Sequence, residues 1–238
     1  MKKFVTFLVL PVALCGMALV AWAGQTKTET VERLDSAGKA LQEISAAPDK
    51  GIPDEIVSGA KCIAVVPSML KGGFIIGGKH GRGVATCRLP DGKWSAPAFF
   101  VISGGSWGAQ IGVEDVQFVM MIMNDEGMKN LLTDKFQIGG SASASAGPVG
   151  RHASAGTDWK AETEMLTYSR SHGLFAGIDL EGSWVERDKD STVAFYGQPH
   201  TNAALLGGKI TPPADAHGFL AAVRRAKDVE AAKKASGE

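Results

Sequence analysis

Residues Gly104 to Gly108 form one pattern that could take part in chemistry. They read Gly-Gly-Ser-Trp-Gly and match the G-x-S-x-G motif, in which a hydrolase exposes its nucleophile, here Ser106, on a sharp strand-to-helix turn. Asp179 and His200 follow in the order that such a catalytic triad requires. The residues after Ser106, 109–113, are interrupted by glycine and favour a strand over a helix. The pattern is therefore more typical of a glycine-rich hairpin, and a serine hydrolase that uses Ser106 stays an alternative.

A second pattern, Gly73 to His80, is close to a phosphate-binding P-loop. The P-loop needs G-x-x-x-x-G-K followed by Ser or Thr, but His80 stands where that hydroxyl should be. Residues 74–76 are Phe-Ile-Ile, which is typical of a strand and not of a loop with free backbone N–H groups. Nucleotide binding is not predicted.

The residue types that bind metals are too scattered to form a predicted site. The five histidines lack the short spacing of a metal-binding pair: His80, His152, His172, His200 and His217. Asp179 and Glu181 alternate along one predicted strand and would face the same side, as expected of a solvated strand face. The sequence predicts no metal and no cofactor.

Glycines and cations occur together in a third group, which could hold a phosphate head group. Backbone amides at glycine turns bind phosphate when Lys or Arg lies nearby. Lys79 to Arg82 is flanked by glycines and is predicted to form a tight turn. Trp107 is a candidate for the membrane boundary, where aromatic side chains are enriched. The candidate lipid-binding residues are Lys71, Lys79, His80, Arg82, Trp107 and Arg151.

The most distinctive stretch of the chain is Tyr168 to Gly182, which reads YSRSHGLFAGIDLEG. Its three glycines favour a strand, because each would cost roughly 1 kcal/mol relative to alanine in a helix. The run Y-S-x-S-x-G-L-F-A-G-x-x-L-E-G resembles the hallmark of the SYLF domain family. The residues that carry this resemblance are Tyr168, Ser169, Ser171, Gly173, Leu174, Phe175, Gly177, Glu181 and Gly182.

Shorter motifs agree with this resemblance, which runs from about Leu34 to Val223. They are Ala60-Lys61 before Cys62 to Val66, Gly72-Gly73-Phe74 with Gly77-Gly78, Trp94 to Pro97, Gly147 to Arg151, and Phe195 to Gly197. The resemblance implies a lipid-binding domain found in eukaryotic endocytic adaptors and in exported bacterial proteins. It also implies affinity for anionic phospholipid and, in some eukaryotic members, contact with actin. Because the motifs are mostly glycine and apolar, they indicate the fold better than the ligand contacts.

The start of the chain predicts export. Met1-Lys2-Lys3, the apolar run Phe4 to Val20 and Ala21-Trp22-Ala23 have the three parts of a secretory signal peptide. Cleavage is predicted after Ala23, and a retained membrane anchor or lipidation at Cys15 are the alternatives. Removing Lys2 and Lys3 changes 25 basic and 25 acidic residues to 23 and 25, a formal net charge of −2. This balance predicts no nucleic-acid partner, and export makes contact with actin an unexpected function here.

The cysteines that remain after cleavage, Cys62 and Cys87, form a single pair in an oxidising compartment. A disulfide would close a loop that the chain-entropy model values at roughly 3 kcal/mol. Two buried thiols on neighbouring strands are the alternative, and the sequence leaves both open. No metal site follows from two cysteines this far apart.

The elements that must position these residues predict an α+β fold. Helices are predicted at 28–46, 53–60, 125–132 and 204–206 and from about Pro213, with 227–238 frayed. Strands are predicted at 62–66, 73–78, 83–89, 98–103, 116–124 and 141–147, and within 164–196 around a turn at 187–190. The turns between them fall at Pro67, His80-Gly81, Pro90 to Gly92 and Ser103 to Gly105. Short turns between strands give antiparallel pairing, so we expect an antiparallel β-sandwich or partly closed barrel flanked by N- and C-terminal helices.

Together these observations predict a signal peptide at 1–23, a single SYLF-like domain at 24–226 and a tail at 227–238. The predicted function is non-enzymatic binding of anionic phospholipid in the bacterial envelope or periplasm. A structural or interaction protein without lipid affinity is the alternative from another class.

Overall fold

The computed structural model describes residues 24–47, 51–148, 164–171, 174–175 and 179–236. Within these ranges, side chains are described except at 74–76, 106–112, 174–175 and 227–236. The predicted signal peptide with Cys15 lies outside the described residues, as do Arg151, His152, His172, Gly173 and Gly177. None of the helices in these ranges has the length and apolar character needed to cross a membrane.

The helices of the described chain lie at both of its ends and between its strands. They are α1 (Lys27–Ser45), α2 (Asp54–Gly59), α3 (Asp125–Leu132), α4 (Lys189–Tyr196), α5 (Asn202–Leu206) and α6 (His217–Ser236), with a 3-10 turn at Ala214–Ala216. Asn124 caps α3, because its side chain accepts a hydrogen bond from the Gly127 N–H. The backbone of α6 is helical to Ser236, including the part predicted to fray.

Seven strands of the described chain form one sheet. They are β1 (Cys62–Cys87), β2 (Ala98–Ile122), β3 (Lys135–Gln137), β4 (Ala144–Ala146), β5 (Met165–Ser171), β6 (Leu174–Phe175) and β7 (Trp184–Arg187). β1 pairs with β2 along its length, and on its other edge β2 pairs with β7 near its start and with β5 near its end. β3 pairs with β7, β6 pairs with β5, and the pairing of β4 with β5 is the parallel one.

β1 and β2 form a continuous antiparallel pair, which we call the ribbon. The predicted turns at Pro67, His80-Gly81 and Ser103 to Gly105 are wrong, because the two strands pass through all three. Pro67 lies at a register shift between Val66 and Met69, where a missing N–H does not break the ladder. Gly81 pairs with Ile102 across the ribbon, as a residue inside a strand does and a turn residue does not.

The ribbon curls until the two ends of β1 meet. Cys62 and Cys87 form a disulfide with their Cα atoms 3.9 Å apart, which decides the question that the sequence left open. At the crossing, a Cβ on Gly83 would lie 2.7 Å from the Val65 carbonyl oxygen and 2.4 Å from the Phe100 ring. Only glycine lets the two halves of β1 approach this closely.

Both faces of the curled sheet are buried. On one face, Val65 and Met121 pack with Leu41 of α1 and Phe219 of α6. The other face forms a second core, which includes Phe118, Met120, Phe136 and Leu205. Two buried faces explain the unbroken apolar runs at Cys62–Val66 and 118–122. The predicted α+β fold with a partly closed barrel between terminal helices is confirmed.

α1 packs on its own domain. Leu34, Leu41 and Ile44 are fully buried. Gly38 allows close contact with α6, since a Cβ there would lie 3.3 Å from the Ala222 Cβ. A capping box between Thr26 and Glu29 starts the helix.

The strands predicted up to Tyr196 end at Arg187, and the prediction beyond that point is wrong. Asp188 caps α4 by accepting a hydrogen bond from the Ser191 N–H at 3.0 Å. An Asp followed three residues later by a serine hydroxyl can satisfy a helix start as well as a turn. The helix ends at Gly197, whose φ of 75° is the left-handed conformation favoured by glycine.

Candidate functional site

Lys79, the central cation of the predicted head-group site, is buried inside the protein. Its residue exposure is 4%, and its Nζ donates hydrogen bonds to the carbonyl oxygens of Asp179 at 2.8 Å and Glu181 at 3.4 Å. Burial lowers the pKa of the Lys79 ammonium, and the charge of Asp179 opposes this shift. Lys79 therefore fastens β1 to the end of the Tyr168 to Gly182 segment, and its charge does not face solvent.

Arg82 also uses its charge within the fold. Its Nη1 lies 3.2 Å from Oδ2 of Asp188, and Nη1 of Arg33 lies 3.3 Å from the same oxygen. Arg33 also donates to the Ser191 hydroxyl at 2.9 Å. Burial lowers the pKa of the Arg33 guanidinium, and the neighbouring Asp188 opposes this shift. This buried cluster joins α1, β1 and the start of α4.

Of the other predicted head-group residues, the structure describes the side chains of Lys71 and His80. Lys71 lies opposite Glu114 on the ribbon, with its Nζ 3.7 Å from Oε2. His80 is exposed. The side chain of Trp107 and the whole of Arg151 lie outside the described part of the chain, so their assignment stays a prediction.

The middle of the ribbon exposes apolar side chains. We call residues 70–78 of β1 and 104–113 of β2 the ribbon bend, because the ends of β1 meet and the ribbon must reverse between them. Leu70 is 53% exposed and Val113 is 76% exposed. Val113 pairs with Gly72, two residues from Leu70, so both side chains project from the same face. Lys71 and Glu114 occupy the opposite face.

Glycine is concentrated at the ribbon bend. Gly73 pairs with Gly112, and Gly78 pairs with Gly105. Within the described sheet, β2 has a second neighbour only before and after this region, at 100–103 and 116–122. In the described sheet, the bend is therefore a two-stranded part.

Ser106 lies within β2 and pairs with Gly77. A nucleophile elbow needs a strand that stops at the serine and a helix that follows, whereas β2 continues to Ile122. His200 packs edge-on against Tyr196, with ring centroids 5.3 Å apart. The backbone around Ser106 therefore does not have the geometry of the hydrolase motif.

The Tyr168 motif packs against the Gly147 motif. The Tyr168 hydroxyl donates a hydrogen bond to the Pro148 carbonyl oxygen at 3.1 Å. A Cβ on Gly147 would lie 2.2 Å from the Tyr168 ring. Burial raises the pKa of the Tyr168 phenol, so it stays neutral and donates. The Tyr168 motif and the Gly147 motif therefore pack directly against each other.

A second tyrosine joins two further motifs in the same way. The Tyr196 hydroxyl donates to the Pro97 carbonyl oxygen at 2.7 Å, and Phe195 packs edge-on against Phe99 at 5.2 Å between ring centroids. Burial again raises the pKa of the phenol. The Trp94 to Pro97 and Phe195 to Gly197 motifs thus hold α4 on the sheet.

Other residues of the Tyr168 to Gly182 segment also contact distant parts of the chain. Arg170 forms an ion pair with Glu43 of α1 at 2.8 Å, and the Ser171 hydroxyl donates to the Asp115 carbonyl oxygen at 3.3 Å. Ser169 is buried, Glu181 is exposed, and Gly182 adopts a φ of 73°. The Tyr168 to Gly182 segment thus supplies β5, which pairs with β2. It also supplies the carbonyl oxygens of Asp179 and Glu181 that accept hydrogen bonds from Lys79.

Sequence reasoning missed Asp188 and Arg33, the centre of the buried cluster. Asp188 was placed in a turn, although its spacing to Ser191 is a helix-capping signal. The pairing of these two residues joins positions 155 residues apart, and no local pattern reports it.

A family model and individual relatives of this chain point to the same protein family. A model of the Ysc84 family, described as "Las17-binding protein actin regulator", matches residues 103–226. LAS seventeen-binding protein 3 of Saccharomyces cerevisiae is 36% identical over 168 residues, which cover 69% of this chain and 36% of the yeast protein. SH3 domain-containing YSC84-like protein 1 is 35% identical in Bos taurus and 34% identical in Homo sapiens, each over 186 residues.

The matches to the bovine and human proteins cover 76% of this chain and 54% of each relative. The chain thus spans between about a third and about half of the length of these relatives. The family model covers more than half of the chain, including the Tyr168 to Gly182 segment and the contact of Tyr168 with Pro148. The chain therefore belongs to the Ysc84 family, whose domain is the SYLF domain that its motifs resemble.

Proposed function

We propose that this protein binds lipid at a membrane of the bacterial envelope, without catalysing a reaction, and that the ribbon bend makes the contact. The observation that carries the proposal is the exposure of Leu70 and Val113 on one face of the bend. Apolar side chains held in water gain free energy when a bilayer takes them up. The lipid binding implied by the SYLF resemblance supports the proposal, and the signal-peptide pattern supports the location.

The head-group contact is proposed for a smaller set of cations than the sequence suggested. Lys79 and Arg82 are left out, because carbonyl and carboxylate groups of the fold already bind them. Lys71 is retained, since its 3.7 Å separation from Glu114 is long for an ion pair and a phosphate could replace that partner. His80, Trp107 and Arg151 stay as proposed contacts.

The relatives' names report binding to Las17 and a role as actin regulator. Those partners belong to the relatives, and a protein exported from the cytoplasm would not meet them. We therefore propose a membrane surface as the partner and do not extend the actin role to this chain.

Co-sedimentation with liposomes tests the proposal. The double variant Leu70→Ser, Val113→Ser should lose most of its binding, because it removes the exposed apolar pair while leaving both buried cores intact. Val193→Ser is the matched control, since Val193 is 43% exposed on α4, away from the bend. Unchanged binding of the double variant, or equal loss in the control, would show that the bend is not the contact.

Vesicle charge tests the head-group part separately. A basic residue near an anionic surface contributes about 1 kcal/mol, so Lys71→Glu should weaken binding to anionic vesicles more than to neutral ones. Lys39→Glu, an exposed charge reversal on α1, is the control. If neutral and anionic vesicles bind the protein equally and salt has no effect, the preference for anionic lipid is wrong.

A further inference from the structure

A pocket of about 880 Å³ lies beside the connection between β1 and β2, away from the ribbon bend. One wall is the connection itself, from Arg88 to Ser95, and the opposite wall is the first two turns of α6. Residues 208–212 close a third side. This volume is within the range of small-molecule sites in proteins.

The floor of the pocket is apolar. Trp94 is 8% exposed, Leu220 is 3% exposed and Val223 is 1% exposed, and all three line it. Ile210 and Pro212 add apolar surface along the third side. An unbranched hydrocarbon chain would find continuous contact here.

The rim of the pocket is cationic. Arg88, Lys93 and Arg224 line it, against a single carboxylate, Asp91. Asp91 is 3.1 Å from the Lys93 ammonium, so it offsets one of these three charges. Among the described residues, Arg88 and Arg224 have no carboxylate within ion-pair distance.

Arg88 is held in place with hydrogen-bonding capacity to spare. Its guanidinium stacks on the Trp94 ring, with Cζ 4.7 Å from the centroid, and Nη2 makes one long contact of 3.5 Å to the Val57 carbonyl oxygen. Its Nε is buried and, within the described structure, has no hydrogen-bond partner. A buried N–H without an acceptor is costly, and arginine presents its donors in a fork that fits carboxylate and phosphate.

The spacing on α6 brings charge and apolar surface to the same wall. His217, Leu220, Ala221 and Arg224 recur at helical intervals and all line the pocket. His217 and Arg224 stand at the two ends of this stripe, with Leu220 and Ala221 between them. The pocket therefore combines a cationic rim with an apolar floor in one cleft.

We propose that this pocket binds a single anionic amphiphile, a molecule with a carboxylate or phosphate head on an apolar chain. The head lies against Arg88 and Arg224, and the chain lies over Trp94 and Leu220. The inference goes beyond membrane contact at the ribbon bend and does not depend on it, because the two sites share no residue.

Calorimetric titration of the purified protein with dodecanoate, below its micelle-forming concentration, tests the proposal. Dodecanoate and dodecyl phosphate should bind about tenfold or more tightly than dodecanol, which has the same chain without the charge. Inorganic phosphate, which has the charge without the chain, should give no measurable heat. Equal affinity for dodecanoate and dodecanol would overturn the proposal.

Two variants locate the ligand. Arg224→Glu should weaken dodecanoate binding about tenfold. Lys39→Glu makes the same charge change at an exposed position of α1 and should leave the affinity within about twofold of the wild-type value. Ala221→Trp should fill the pocket and abolish binding of all the chains. Because Arg224 is exposed, its variant remains informative even if Ala221→Trp lowers the melting temperature. Wild-type affinity in Arg224→Glu would overturn the assignment.

Vesicles separate a free amphiphile from a lipid in a bilayer. The Leu70→Ser, Val113→Ser protein should still bind dodecanoate, and Arg224→Glu should still bind vesicles. Loss of vesicle binding in Arg224→Glu, with retention in the bend variant, would refute the bend as the membrane contact while supporting this pocket. Loss of dodecanoate binding in the bend variant would refute the pocket as an independent site.

Discussion

At the scale of single residues, the buried Lys79 and the partly exposed Arg82 of β1 bind other parts of the same chain. Lys79 donates to two carbonyl oxygens that lie 100 and 102 residues away. Arg82 and Arg33 share one carboxylate, Asp188. A buried charge is tolerated when such partners surround it. These residues therefore hold distant segments together, and the charges of Lys79 and Arg33 are buried within the fold.

Asp188→Asn should destabilise the protein by about 3–5 kcal/mol, because it leaves the Arg33 guanidinium buried without its counter-ion. The side chains of Arg33 and Asp188 are only 9% and 5% exposed, so water cannot replace the lost charge. Urea unfolding measures the effect. Asp190→Asn, an exposed neighbour in the same helix, should change stability by less than about 0.5 kcal/mol. Similar values for the two variants would contradict the role assigned to the cluster.

The two tyrosines act on the same scale, each by capping a proline carbonyl. Tyr168 reaches Pro148, and Tyr196 reaches Pro97. Proline has no N–H, so its carbonyl is its only backbone hydrogen-bonding group. Each contact joins two of the motifs by which the family was recognised, which gives those motifs a structural reason.

Tyr168→Phe should cost about 1 kcal/mol of stability at neutral pH, the usual net value of one hydrogen bond. Burial raises the pKa of Tyr168 above its ordinary value of 10.0, so above pH 10 the unfolded chain loses a proton that the folded protein keeps. The contribution of Tyr168 therefore falls as pH rises. Urea titrations at pH 7 and above pH 10 should show the difference between variant and wild type becoming smaller. A constant difference would mean that the phenol is not buried.

At the scale of elements, glycine determines the path of the ribbon. Gly83 lies where β1 crosses itself, and Gly104 leaves room for the Lys79 side chain, which a Cβ would approach to 2.9 Å. Gly105 has open space around it. Glycine thus permits close packing at Gly83 and Gly104, whereas Gly105 has no atoms packed against it.

Gly83→Ala should destabilise the protein by about 1–3 kcal/mol, the usual effect of overpacking a core. The added methyl would lie 2.4 Å from the Phe100 ring, and neither strand can move away without breaking the ladder. Gly105→Ala is the matched control and should be neutral or slightly stabilising, because nothing lies within 4 Å of the added atom. Thermal unfolding compares them, and equal melting temperatures would contradict the crossing.

At the scale of the whole molecule, the two ends of the described chain close one face of the sheet. Leu34 and Leu41 of α1 and Phe219 and Val223 of α6 lie in the same core as Val65 and Met121. The terminal helices are therefore part of the domain, and the fold is complete only when the last helix packs.

Truncation tests this dependence. A chain that stops after Ala226 keeps every α6 side chain in the described cores and should retain a cooperative melting transition. A chain that stops after Pro213 loses Phe219, Leu220 and Val223, which are 0%, 3% and 1% exposed, and should not fold cooperatively. Removing several large buried side chains costs more than a typical domain's stability. A folded short chain would show that α6 is dispensable.

Local patterns in the sequence were enough for several parts of this protein. The Asn124 cap, the period of Leu34, Leu41 and Ile44, and the short helix near Leu205 each depend on neighbours within a few residues. The family could also be recognised, because the motif around Tyr168 is a fixed string of residues. The α+β class follows from these elements in order.

The tertiary structure alone decided how the ribbon runs and where its charges lie. A glycine favours a turn and a closely packed strand equally, because its missing Cβ permits both. The sequence therefore predicts turns at Gly81 and Gly104, whereas in the structure both residues pair across the ribbon. The burial of Lys79, the pairing of Arg33 with Asp188 and the Cys62–Cys87 bond likewise join residues far apart in the chain. Such contacts form only when the curled sheet brings these residues together, so no local pattern in the sequence contains them.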